Sequence, residues 1–255
     1  MKKYRGVFLK NENEIAIMRE ANRIGAMILD ELEKAVTPGV KTMFFEEICQ
    51  ECCRRHAVRP AFQGYQGYPF ALCCSVNEEV VHGFPSDRVV AEGDIVSFDM
   101  GVVFEGFVSD SARTVGVGKV SDTAKKLMRV TKESLDAAIA QARPGKMLSD
   151  VSRAVQKVVE GAGYHVVRRF VGHGIGRNMH EKPEVPNFVI PGLPELPLQP
   201  GMVLAIEPMV AIGTHEVDIL ADGWTAVTRD NSLAAHFEHS VAITASGNEI
   251  LSRSS

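Results

Sequence analysis

No stretch of the 255-residue chain approaches the ~20 consecutive apolar residues of a membrane-spanning helix. The basic N-terminus, Met1 to Gly6, is not followed by an apolar run, so no secretory signal is expected. Neither sign of charge dominates. The 28 Lys and Arg against 32 Asp and Glu give a net charge of -4, whereas nucleic-acid-binding domains are usually strongly basic. The five cysteines form no disulfide framework: Cys49, Cys52 and Cys53 crowd one predicted helix, and Cys73 and Cys74 are adjacent. A reduced, cytoplasmic protein is therefore expected. What remains is 45% apolar and 24% charged, an ordinary globular composition with enough chain for a large core.

The chain is organised as a pattern that repeats. Ile17, Ala21, Ile24, Ile28 and Leu32 recur at helical spacing, predicting a helix from about Glu12 to Val36 that Thr37-Pro38-Gly39 stops. A second helix is predicted from Thr42 to about His56, with Phe45, Ile48, Cys49 and Cys52 on one face. Extended segments follow at 61–68, 71–76, 79–82, 95–104 and 107–117. Helices at about 122–142 and 148–160 then precede extended segments at 168–171, 202–207, 225–228 and 237–244. Two halves, roughly 1–118 and 119–255, each place two helices before strands, and Pro38-Gly39 is echoed by Pro144-Gly145. Strands after helices predict an α+β fold with a largely antiparallel sheet. The stretch Pro191 to Pro200, with four prolines and one glycine, is expected to be a loop.

Two β-rich runs meet at Glu105-Gly106, which fits a two-residue hairpin turn. That register places Gly101 opposite Asp110 and leaves Asp99 as a diagonal neighbour of Asp110 on one face, ~7 Å away. Buried carboxylates are costly unless compensated. Gly101 is expected to leave room for a divalent cation beside the pair. Taken singly, a strand carboxylate more often faces water or pairs with Lys or Arg. Further along, Gly172-His173-Gly174-Ile175-Gly176-Arg177-Asn178-Met179-His180 sets two histidines among glycines. There is no Gly-Lys-Ser/Thr ending to suggest a phosphate loop, and no H-E-x-x-H helix. Glu207 ends one apolar strand and Glu238 begins another. Asp99, Asp110, His173, Glu207 and Glu238 form an oxygen-rich set that suits two divalent ions better than a thiolate zinc site. The C-x-x-C at Cys49 and Cys52 has no second pair at suitable spacing and is expected to be core packing.

In order and spacing, these residues resemble the type I methionine aminopeptidases of bacterial kind. The match runs from Ile17-Met18-Arg19 through Gly64-Tyr65-Gln66-Gly67-Tyr68-Pro69, His82-Gly83-Phe84-Pro85 and Gly172 to Gly176, then Ile206-Glu207-Pro208-Met209, Asp222-Gly223-Trp224-Thr225 and Glu238-His239. The resemblance implies a pita-bread fold: two pseudo-symmetric α/β halves around a curved antiparallel sheet, helices outside, in one catalytic domain spanning 1–255. It implies excision of the initiator methionine when the second residue is small. Asp99, Asp110, His173, Glu207 and Glu238 would hold two divalent ions (Co, Mn, Fe(II) or Zn), with Asp110 and Glu238 bridging. These ions would activate a water for attack on the scissile carbonyl.

By the same resemblance His82 contacts substrate near its amino end or scissile amide. His180 donates to the scissile carbonyl oxygen, and Glu207 moves the proton. Tyr65, Tyr68, Cys73 and Trp224 line the methionine pocket. Phe62 and Met179 stand where the best-known relatives carry Cys and Phe. A monovalent cation held by the carbonyls of Asn77, Glu79 and Ala234 is also implied. The expected partners are N-termini of nascent polypeptides, hence proximity to the ribosome, with a monomer as the expected state and neither DNA nor membrane. Xaa-Pro aminopeptidases and prolidases share the ligand set but usually carry a further N-terminal domain, for which 255 residues leave no room.

Overall fold

The helices begin and end where local chemistry dictates. In α1 (Glu12–Ala35), Asn11 accepts from the Glu14 N–H while Glu14 accepts from the Asn11 N–H, a reciprocal cap. Its inner face buries Met18, Ala21, Ile24, Ile28, Leu29 and Leu32. α2 (Thr42–Arg55) buries Phe45, Cys49, Cys52 and Cys53, so the C-x-x-C pair is core packing. All five cysteines are free thiols. α3 (Asp122–Gln141) starts at Ser121, whose hydroxyl accepts from the Ala124 N–H, and α4 (Leu148–Gly161) completes the second pair. The computed structural model describes residues 2–253; Met1, Ser254 and Ser255, at the ends of the expected domain, lie outside the described residues.

Eight strands form the central sheet: β1 (Leu72–Val76), β2 (Ile95–Met100), β3 (Ser111–Gly116), β4 (Gly172–Gly174), β5 (Glu181–Val185), β6 (Val203–Ile206), β7 (Glu238–Thr244) and β8 (Gly247–Ile250). Their order is β5-β4-β6-β7-β3-β2-β1, with β8 paired to β7, and every pairing is antiparallel. The α+β expectation holds. Within this sheet the halves join where β7 meets β3 through two registered pairs, Glu238 with Ala112 and His239 with Ser111, and outside it Ala226–Thr228 pairs with Glu79–Val81.

Alternation along the strands sorts side chains to two faces. On β2, Val96, Phe98 and Met100 pack with Ala21, Ile24, Leu32 and Phe45 of the first helix pair. Phe45 and Phe98 meet edge to face at 4.9 Å. On β6 and β7, Leu204, Ile206, Val241 and Ile243 pack with Leu127, Val130, Ile139, Val151 and Val155 of the second pair. Burying each such side chain contributes ~1.5–3 kcal/mol. The opposite face of the sheet is left to Asp99 and Glu238, with Glu207 just past β6.

Three expectations need correction. The hairpin register is as predicted, since Phe104 pairs with Phe107 and Asp99 with Ala112. Gly101, however, does not open space for an ion: a Cβ there would lie 2.1 Å from the Ser109 carbonyl oxygen, so the glycine permits close backbone approach. The extended segment expected at 168–171 is irregular; the strand is Gly172–Gly174, which includes His173. Residues 61–68, expected to be extended, instead contain a single 3₁₀ turn, Tyr65–Gly67. The loop at 191–200 lies against the start of α4, where the Leu148 N–H donates to Leu196 O and the Leu198 N–H to Lys146 O.

Candidate active site and metal centre

One cavity of about 320 Å³ gathers the catalytic, divalent-ion and substrate residues predicted from the sequence, but not Asn77, Glu79 or Ala234. Asp99, Asp110, His173, Glu207 and Glu238 lie at its carboxylate-rich end. His82 and His180 flank them, and Phe62, Tyr65, Tyr68, Cys73, Met179 and Trp224 form apolar walls. Asp99 comes from β2, Asp110 from the turn before β3, His173 from β4, Glu207 from the end of β6 and Glu238 from the start of β7.

Asp110, His173 and Glu238 each turn one ligand atom to within 4.8 Å of the others. His173 Nε2 lies 3.6 Å from Asp110 Oδ2 and 3.5 Å from Glu207 Oε1. Its Nδ1 is 3.0 Å from the Gly174 carbonyl, a hydrogen bond that puts the ring proton on Nδ1 and leaves Nε2 facing the carboxylates as a lone pair. Burial pushes His173 down to about 4, so it is neutral at physiological pH. Asp99 is raised to about 7, chiefly by burial. Asp110, Glu207 and Glu238 are raised by burial first and then by one another or by Asp99. Asp99 Oδ1, Asp110 Oδ1 and Glu238 Oε1 are buried without a hydrogen-bond partner.

Four carboxyls desolvated together require positive charge, and oxygen atoms lacking donors can accept a cation. Among the described residues the set fits divalent ions. A titratable consequence follows. A carboxyl whose pKa is raised holds its proton below that value, and an incoming ion must displace it. Divalent-ion binding to stripped protein should therefore release protons. Asp99 should release more near pH 6.5 than at pH 8, while neutral His173 releases none, so apparent affinity rises with pH. Calorimetry in buffers of different ionisation enthalpy reads this directly, and pH-independent affinity without proton release would contradict it.

The histidines that are not ligand candidates are held as firmly. The Tyr65 hydroxyl is 2.7 Å from His180 Nδ1; with Tyr65 donating, neutral His180 carries its proton on Nε2. The His173 and His180 rings stand 4.3 Å apart. His82 has a left-handed backbone, φ 61, strain of a kind found at functional sites. The next residue locks it: the Gly83 N–H donates to Ser75 Oγ, and a Cβ on Gly83 would lie 2.6 Å from the Cys74 carbonyl oxygen. Burial lowers His82 to about 4. Its ring contacts Phe170 at 5.2 Å and Trp224 at 6.1 Å. Tyr68 donates to the carbonyls of Leu72 and Gly83, which fixes its ring 5.1 Å from Trp224. Trp224 is presented by a turn in which Asp222 accepts from the N–H groups of Trp224 and Thr225. Phe62 and Met179 are 8% and 6% exposed, so both departures remain apolar wall.

Sequence reasoning missed three participants. Glu181 accepts from the N–H groups of Arg177 and Asn178 and from buried Lys10 Nζ at 2.7 Å, which shapes the loop carrying Met179 and His180. Nothing in local spacing links Lys10 to residue 181. His236 is buried, and its Nε2 lies 3.8 Å from Glu207 Oε2. Its position two residues before Glu238 is the alternation signal that could have found it.

Residues 16–245 match the model of metallopeptidase family M24. The chain is 50% identical over 246 residues to a methionine aminopeptidase of Clostridium perfringens, covering 96% of this chain and 98% of that one. The crystal structure of methionine aminopeptidase from Thermotoga maritima superposes with a TM-score of 0.94 at 46% identity, over 97% of this chain and 99% of that one. Prolidase from Pyrococcus furiosus shares the fold alone, with a TM-score of 0.79 at 22% identity over 97% of this chain and 66% of that one. With the curved antiparallel sheet and its two helix pairs arranged as in these pita-bread structures, the chain belongs to metallopeptidase family M24 and, within it, to the methionine aminopeptidases.

Proposed function

We propose that this chain removes the N-terminal methionine from new polypeptides whose second residue is small. The observation that carries the reading is a cluster of buried, donor-poor carboxylates at the end of an aromatic-walled slot. Two divalent ions, drawn from Co, Mn, Fe(II) and Zn, would be held by Asp99, Asp110, His173, Glu207 and Glu238, with Asp110 and Glu238 shared. When bound they would supply Lewis acidity and a water whose pKa is near neutral.

The chain's own residues do the rest. Glu207, with Oε1 on the cavity side, takes a proton from the attacking water and passes it to the leaving amine. His180 donates from Nε2 to the carbonyl oxygen as negative charge develops there. His82, neutral because of burial, sits beside the amino end or scissile amide without repelling the substrate's positive charge. Phe62, Tyr65, Tyr68, Cys73, Met179 and Trp224 receive the methionine side chain, where sulfur–aromatic contacts contribute ~0.3–1.5 kcal/mol each. The second residue lies between His82 and the carboxylates, so bulk there is excluded.

The same reading treats residues 1–255 as one catalytic domain, monomeric and cytoplasmic, acting near the ribosome. Among the described residues no helix is long and apolar enough to cross a membrane. A monovalent cation on the carbonyls of Asn77, Glu79 and Ala234 belongs to it too; the Ala234 N–H already donates to Asn77 O at 2.9 Å, so these segments adjoin.

The test is kcat/KM for Met-Ala-Ser, Met-Lys-Ser and Ala-Pro-Ala at matched metal loading. Met-Ala-Ser should be cleaved, and the other two should be cleaved poorly or not at all. Comparable values for Met-Ala-Ser and Met-Lys-Ser, or faster cleavage of Ala-Pro-Ala, would overturn the assignment.

A further inference from the structure

We propose that His236 is a positioning residue for Glu207: its imidazole holds one carboxylate oxygen so that the other is presented to the ions and the proton. The inference rests on the reading of Glu207 given above. Glu207 lies between two imidazoles. Oε1 is 3.5 Å from His173 Nε2 on the cavity side, and Oε2 is 3.8 Å from His236 Nε2.

Three observations point to this use. First, His236 is 1% exposed, and neither ring nitrogen has a hydrogen-bond partner. A buried imidazole with both nitrogens unbonded is unfavourable, and leucine or methionine would fill the same volume without that penalty. Packing alone gives no reason for histidine here. Second, the backbone of His236 is pinned. Its N–H donates to Thr114 Oγ1 at 2.9 Å, and that hydroxyl donates to the His236 carbonyl at 2.8 Å. The side chain's origin is thereby fixed against β3. Third, His236 pairs across strands with Met209, two residues past Glu207. The Glu207 carbonyl is held separately by Asn187 Nδ2 at 2.9 Å. Backbone and carboxylate of Glu207 thus have different anchors.

A neutral imidazole donates from one nitrogen only. With the proton on Nε2, His236 donates to Oε2 once the carboxylate closes the short remaining distance. No proton is transferred to or from His236. It acts by orientation, as an outer partner does for a ligating carboxylate.

The experiment compares His236→Leu with His236→Gln, which retains an N–H donor of similar reach. Protein stripped with a chelator is titrated with Co(II) by calorimetry, melted without metal, and assayed with Met-Ala-Ser when loaded. His236→Leu should bind Co(II) ~10–100-fold more weakly. Its kcat should fall with KM changed by less than about twofold. Its metal-free melting temperature should equal or exceed wild type, because a buried unbonded imidazole has gone. His236→Gln should recover Co(II) affinity to within a few-fold. Unchanged Co(II) affinity in His236→Leu, equal defects in both variants, or a lower metal-free melting temperature with metal affinity intact would each overturn the proposal. Should His236→Leu not fold, His236→Met takes its place in the same comparison. Failure of wild-type protein to cleave Met-Ala-Ser, with Co(II) affinity still dependent on residue 236, would overturn the peptidase reading and leave the positioning role standing.

Discussion

Asp110→Asn should yield a folded protein that takes up less metal and cleaves Met-Ala-Ser at least ~10³-fold more slowly. Asp110 is one of three residues whose ligand atoms lie within 4.8 Å of one another, and its Oδ1 has no hydrogen-bond partner. An amide of the same shape presents one neutral acceptor where a charged pair of oxygens stood. Several kcal/mol of transition-state stabilisation depends on the ions such oxygens hold, which corresponds to ~10³-fold or more in rate. The fold should survive, because the substitution removes a desolvated charge from a site already crowded with carboxylates. Glu238→Gln should behave in the same way. Glu207→Gln should lose more rate than metal, since the role proposed for Glu207 is proton transfer. Elemental analysis of the purified variants beside kcat/KM decides the matter: full metal content with wild-type turnover in Asp110→Asn would remove it from the centre.

The second large effect is expected at His180. Its replacement by Ala should lower kcat by ~10²–10³-fold with metal content unchanged, as for loss of one oxyanion donor. With the Tyr65 hydroxyl donating to Nδ1 across 2.7 Å, neutral His180 presents its N–H at Nε2. The residue is buried enough that its pKa is lowered, and it donates as a neutral ring. Steady-state kinetics with Met-Ala-Ser, on samples of equal metal content, would dismiss the role if kcat were unaltered.

Much of this was legible in the sequence because it is written in short-range patterns. The hairpin register that makes Asp99 and Asp110 neighbours follows from one turn at Glu105-Gly106, whose positive φ values of 46 and 76 suit that geometry. The helix pairs follow from periodicity, and the caps from single residues such as Asn11 and Ser121. Contacts between distant segments were not legible. Lys10 and Glu181 come from different halves of the chain, and no spacing rule relates them. Gly101 was misjudged for a related reason: a glycine in a strand signals either open room or a close backbone, and only the position of the Ser109 carbonyl distinguishes the two. His173 was found through its glycine neighbours, although its strand was placed one step too early.

The join between the halves has a consequence for how the protein comes apart. β3 and β7 share two registered pairs, fewer than most joins in the central sheet, and the proposed ligands Asp110 and Glu238 stand on either side of that join. An ion held by both would act as a staple across the seam. Because such a grip exists only in the assembled sheet, a hundredfold excess of ion over its Kd would strengthen the native state by about 2.7 kcal/mol. Starvation for metal would then lower the stability of the assembled sheet as it silences the chemistry, and the idle enzyme would be more open to proteolysis.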